Sequence, residues 1–135
     1  MYCEAYSFNH PTMQNKRVVV DALFQQFPEI RYTAIYEAGD LYLQQRQQTA
    51  DSSAAETDKY EELLVNPAVL LLARQRGNID CGGLRHIVIA YGPFYQLIKE
   101  IRGGHISICL AIQSDLNTLP LRIFSFLAEQ YPGLL

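Results

Sequence analysis

Between residues 84 and 112 the chain is built from three apolar runs separated by turn residues. LRHIVIAY (84–91) is rich in β-branched residues. Gly92-Pro93 interrupts it, FYQLIKEI (94–101) alternates, Gly103-Gly104 interrupts again, and HISICLAI (105–112) alternates more strictly. Runs of this length and period, punctuated in this way, predict a three-stranded antiparallel meander. Gly-Gly between two alternating runs suits a tight hairpin, in which both turn positions take up positive φ. In the last run Ile106, Ile108, Leu110 and Ile112 fall on one face, and His105, Ser107, Cys109 and Ala111 fall on the other. The first face requires a helical cover. The second carries small residues, so another element can approach it closely.

The rest of the chain supplies covers and two more strands. Val19 or Val20, Leu23, Phe24 and Phe27 recur at helical spacing and predict a helix over 13–27, closed by Pro28. Strands are expected at 31–36 and 41–46, with Ala38-Gly39-Asp40 as their turn. Residues 44–59 are polar and small, and most of them, 47–58 in particular, are expected to form a mobile loop. A short helix is expected over 56–65 with Tyr60, Leu63 and Leu64 inward. Asn66-Pro67 then reads as a break and restart, giving a second helix over 67–76 that Gly77 stops. Its Leu70-Leu71-Leu72 run is apolar nearly all round. A final helix is capped by Asp115 or Asn117, holds Pro120 in its first turn, buries Ile123, Phe124, Phe126 and Leu127, and ends at Pro132-Gly133. The order α-β-β-α-β-β-β-α describes an α+β domain spanning 1–135. Its expected form is a single five-stranded antiparallel sheet with helices on both faces.

Composition narrows the function classes. The net charge is −3 and the 11 Lys and Arg residues are scattered, so the basic surface that nucleic acid or an anionic membrane demands is not expected. Lys16-Arg17 is too short to act as a patch. Three cysteines, an odd and dispersed set, do not resemble a secreted disulfide framework. MYCEAYSFNHP carries no apolar run of signal-peptide length, and the strongest apolar stretch, 68–73, is far too short to span a bilayer. A cytoplasmic protein with no membrane insertion is the expectation.

Several side chains invite a chemical reading. Cys81, His86, His105 and Cys109 are zinc-ligand types, but no CxxC or HxxxH pair is present, and a strand cysteine and a turn histidine account for them equally well. Cys81, flanked by Asp80 and Gly82-Gly83, has the setting of a nucleophile only if a base stands beside it. His86, five residues on in a strand, is not placed there by strand geometry. Gly77 and Gly82-Gly83 match neither phosphate-binding glycine pattern and read as turn residues. Nine tyrosines, Tyr32, Tyr36 and Tyr42 among them, lack the basic neighbours that base stacking on nucleic acid requires, which points to packing at core edges or interfaces. Asp51, Glu56, Asp58 and the Glu61-Glu62 pair read as a solvated acidic face. No catalytic residue, metal or cofactor is assigned.

The first helix ending in LFQQFPEI, the strand-turn-strand RYTAIYEAGDLYLQQR and the final RIFSFLAEQY helix together resemble the roadblock family, the dynein light-chain roadblock-like domains of profilin-like fold. The resemblance covers roughly 18–131. Phe27-Pro28-Glu29-Ile30 stands where such domains bend after the first helix, and Gly39 at the tip of their hairpin. Two departures are the long 47–58 segment and the Asn66-Pro67 break in a middle helix that is usually continuous. The resemblance implies a non-enzymatic scaffold that homodimerises and regulates a small Ras-like GTPase. The dimer it implies joins two copies through Leu70 and Leu71 of the middle helix and Leu84, Ile87, Val88, Ile89 and Tyr91 of the adjoining edge strand. Arg85 and His86 blunt only the start of that strand. A second reading is a profilin-like sensory domain with a ligand pocket between sheet and helix. A third is a thiol enzyme using Cys81. A pocket lined by apolar and a few convergent polar groups marks the second, and a histidine beside Cys81 marks the third.

Overall fold

The computed structural model describes residues 13–46 and 53–135. Helix α1 (Met13–Gln26) leads into strands β1 (Ile30–Glu37) and β2 (Asp40–Gln45). Helix α2 (Ser53–Tyr60), a π-helical segment (Glu61–Val65) and helix α3 (Asn66–Asp80) follow without interruption. Strands β3 (Ile87–Ala90), β4 (Phe94–Ile101) and β5 (Gly104–Ala111) then precede helix α4 (Leu119–Gln130). The five strands form one antiparallel sheet in the order β2-β1-β5-β4-β3. This is the α+β layout that the sequence pattern implies, with β5 at the centre.

One face of the sheet carries the main core. Ile35, Leu97, Ile106, Ile108 and Leu110 pack with Val20, Leu23 and Phe27 of α1 and with Ile123 and Leu127 of α4. Each apolar side chain withdrawn there contributes about 1.5–3 kcal/mol relative to exposure. Ile112 falls just past β5 and is exposed, so the predicted apolar face ends at Leu110. The Asp115 carboxylate accepts from the Asn117 backbone N–H (3.0 Å) and from the Thr118 hydroxyl (3.1 Å), which shapes the turn into α4. Arg46 closes the other end of the layer. Its Nε donates to the Ile30 carbonyl (2.7 Å) and its guanidinium to the Phe24 and Phe27 carbonyls (both 2.9 Å), satisfying acceptors left at the C-terminus of α1.

The sequence reading is also corrected at several element boundaries. The middle helix does not break at Asn66-Pro67. Tyr60, Val65 and Asn66 all keep right-handed helical dihedrals, and the Asn66 N–H bonds the Glu61 carbonyl, five residues back. Pro67 would clash with the carbonyl four residues earlier in a regular α-helix, and the widened turn just ahead of it relieves that clash. Gly77 does not end the helix, which runs on to Asp80. A Cβ there would meet the backbone of Gly83 and Leu84 at 3.1–3.3 Å, so the glycine permits the chain to fold back over it. Residues 53–58 are helical, so the expected loop is shorter, and its part at 47–52 lies outside the described residues. Finally, Gly104 is the first residue of β5, so the hairpin turn is Arg102-Gly103, with Ile101 opposite Gly104. A Cβ on Gly104 would collide with the Tyr36 carbonyl of β1.

Candidate functional site

The small-residue face of β5 is covered by the middle helix, and the contact between them is polar. Directly opposed residues in an antiparallel pair share a face, which sets Tyr32, Cys109 and Gln96 in one row across β1, β5 and β4. Ala34, Ser107 and Ile98 form the next row, and Tyr36, His105 and Glu100 the one after. Into this surface the π-helical segment turns Glu62, which is fully buried. Its carboxylate accepts from the Tyr32 hydroxyl at 2.8 Å and from the Asn66 amide at 2.9 Å, and it meets His105 Nε2 at 2.8 Å. Beside it the Gln96 amide donates to the Ser107 hydroxyl at 2.8 Å. A carboxylate this deep is tolerable only because its lone pairs are occupied. Burial, and then the Glu62 charge, hold the Tyr32 phenol far above its ordinary range, so it serves as a hydrogen-bond donor.

Next to this network, at the end of the sheet where β1 begins and β5 ends, lies a half-open cleft of about 310 Å³. Arg31, Tyr32, Gln45, Asp58, Pro93, Phe94, Cys109 and Ala111 line it. Burial raises the Asp58 carboxyl, a hydrogen bond from Gln45 (3.1 Å) opposes the rise, and Glu62 adds to it. Burial followed by the charges of Glu61, Glu62 and Asp58 pushes the Cys109 thiol well up, which keeps it protonated.

The four zinc-type residues do not converge. His86 packs against Phe124 of α4, with ring centroids 5.4 Å apart, whereas His105 and Cys109 belong to the surface facing the middle helix. Cys81 is exposed, and its thiol donates to the Asp80 carboxylate at 3.3 Å. Among the described residues no group of three His, Cys, Asp or Glu is arranged to hold a metal ion, and no helix is long and apolar enough to cross a membrane.

The proposed dimer residues divide by exposure. Leu70 is buried against its own sheet, Leu84, Ile87 and Ile89 are half-buried, and Leu71, Val88 and Tyr91 are exposed. Tyr60, Leu63 and Leu64, expected inward, point outward instead, and with Leu71 and Leu72 they leave an apolar outer face on the middle helix. The widened turn shifts the inward positions, so Glu62, Asn66 and Leu70 face the sheet. Strand β3 is at one edge of the sheet and is only four residues long, 84–86 being irregular.

Glu62, Asn66 and Gln96 were not legible as a buried set. Glu62 reads as half of a solvated acidic pair and Asn66 as a cap. The available signal is Glu-x-x-x-Asn on one helical face combined with a histidine on the small-residue face of β5.

No family model matches the chain, and no curated protein matches it significantly.

Proposed function

We propose that this chain is a non-enzymatic, roadblock-like interaction module that works as a homodimer. The observation that carries this reading is the pairing of an unguarded sheet edge with an exposed apolar helix face. Val88 and Tyr91 are exposed at β3, while Tyr60, Leu63, Leu64, Leu71 and Leu72 are exposed on the middle helix. The charge of Glu61, next to Tyr60 on that helix, adds to the burial that raises the Tyr91 phenol, which supports reading the two surfaces as neighbours. An edge strand leaves N–H and C=O groups unpaired, and a row of exposed large apolar side chains is costly in water. A second copy related by a two-fold axis answers both at once: β3 pairs with β3, and the helices meet across the same axis. The resemblance in element order further points to a small Ras-like GTPase as the protein partner.

Hydrogen exchange tests the arrangement directly. The outward amides among Ile87–Ala90 are expected to be protected at high protein concentration and to exchange freely on dilution. Fast exchange there at every concentration would overturn the β3 pairing.

A further inference from the structure

A backbone irregularity forms part of the wall of the 310 Å³ cleft, and a second follows Asp58 in the chain. On the sheet side, Ile30 is opposite Leu110 and Tyr32 is opposite Cys109, so Arg31 is an extra residue in β1, a bulge. In a regular strand adjacent side chains point to opposite faces. Here Arg31 and Tyr32 both line the cleft, and a bulge is the device that re-aims a side chain in this way. The bulge is held by the Arg46 N–H donating to the Arg31 carbonyl at 2.9 Å. On the helix side, the π-helical segment begins three residues after Asp58, and such segments recur at functional sites.

The lining is amphiphilic and carries charges of both signs. Arg31 is exposed, and among the described residues its guanidinium has neither ion pair nor hydrogen bond. The Asp58 carboxylate lines the cleft half-buried and, among the described residues, accepts one hydrogen bond, from Gln45, short of a carboxylate's full acceptor capacity. Pro93, Phe94, Cys109 and Ala111 supply apolar surface between the charges. The Tyr32 wall is fixed by its bond to Glu62. A half-open space of about 310 Å³ lies at the small end of ligand pockets and suits a small metabolite. A plain anion meets repulsion from Asp58, and a plain cation meets it from Arg31. A molecule bearing both charges on one carbon, with a small apolar substituent, meets neither.

We propose that this cleft binds a free α-amino acid with an apolar side chain, its carboxylate on Arg31, its ammonium on Asp58 and its side chain against Pro93 and Phe94. The site goes beyond the platform reading and does not depend on it, since its charged walls, Arg31 of β1 and Asp58 of α2, are not residues of the β3 edge.

Calorimetric titration of the full chain with L-valine and L-phenylalanine is the test. N-acetyl-L-phenylalanine, which lacks the ammonium, and L-phenylalaninamide, which lacks the carboxylate, serve as controls. At least one free amino acid is expected to saturate at millimolar concentration or below, with each control at least ten-fold weaker. Arg31→Ala and Asp58→Asn are each expected to lose ten-fold or more while keeping the wild-type circular dichroism spectrum. Failure of both free amino acids to saturate overturns the proposal. So does equal binding of either control, or unchanged affinity in both folded variants.

Discussion

Glu62 is the residue on which the polar layer depends, because it touches Tyr32 of β1, His105 of β5 and Asn66 of its own helix. His105→Ala removes one of its donors and leaves a cavity where the ring lay. Leaving a buried carboxylate partly unpaired costs several kcal/mol, and the expected loss is about 3 kcal/mol in urea unfolding. A loss within about 0.5 kcal/mol, the level of an ordinary surface change, would show that the network carries little. Asp58 is expected to behave in the opposite sense. Burial raises its carboxyl in the folded chain, so the folded state favours the protonated form. That unfavourable contribution is absent below the unfolded value, grows as pH rises through the folded one, and is fully present at neutrality. Asp58→Asn is therefore expected to raise the melting temperature at pH 7, with the gain vanishing near pH 3.5. A residue that costs stability yet remains in a cleft is what a binding role would explain. None of this was readable from spacing, because the burial of Glu62 depends on a helical register that a π-turn resets.

At the scale of elements, the alternation in 84–112 carried real information. The three strands, their order along the chain and the buried Ile106-Ile108-Leu110 face all follow from period two. What sequence misplaced were junctions, where a third party decides. Gly103-Gly104 reads as a symmetric turn, but the Tyr36 carbonyl of the neighbouring strand claims Gly104 for β5. Asn66-Pro67 has the chemistry of a helix start, and only the extra residue in the preceding turn carries the helix through it. Inward and outward positions before that turn were inverted for the same reason, so Tyr60, Leu63 and Leu64 were assigned to the core. The two glycines separate in a concrete way. Gly104→Ala is expected to abolish native folding in a circular dichroism melt, since the clash is with backbone that cannot rotate away. Gly82→Ala, at φ 76° with open space around it, pays only the backbone penalty of about 1 kcal/mol and is expected to fold.

The whole molecule has one sheet face closed by α1 and α4 and the other closed by a helix whose outer surface is apolar. The first core accounts for a domain that folds. On the proposed reading the second arrangement is a partner surface, and the edge strand makes a second copy of the chain its partner. Val88→Pro is expected to disrupt that pairing while leaving the main core intact, because proline cannot donate to a ladder and adds a clash. Phe94 of the cleft lies beside Tyr91, with ring centroids 5.3 Å apart, so the cleft borders the proposed dimer face, and Arg31→Ala, on β1 with two strands between it and β3, is expected to leave assembly unchanged. The central claim is assembly, and light scattering on the gel-filtration peak measures it without assumption about shape. The wild-type chain is expected at twice its 15.4 kDa at micromolar concentration, with Val88→Pro at 15.4 kDa. A wild-type mass of 15.4 kDa at every concentration tested would contradict the account.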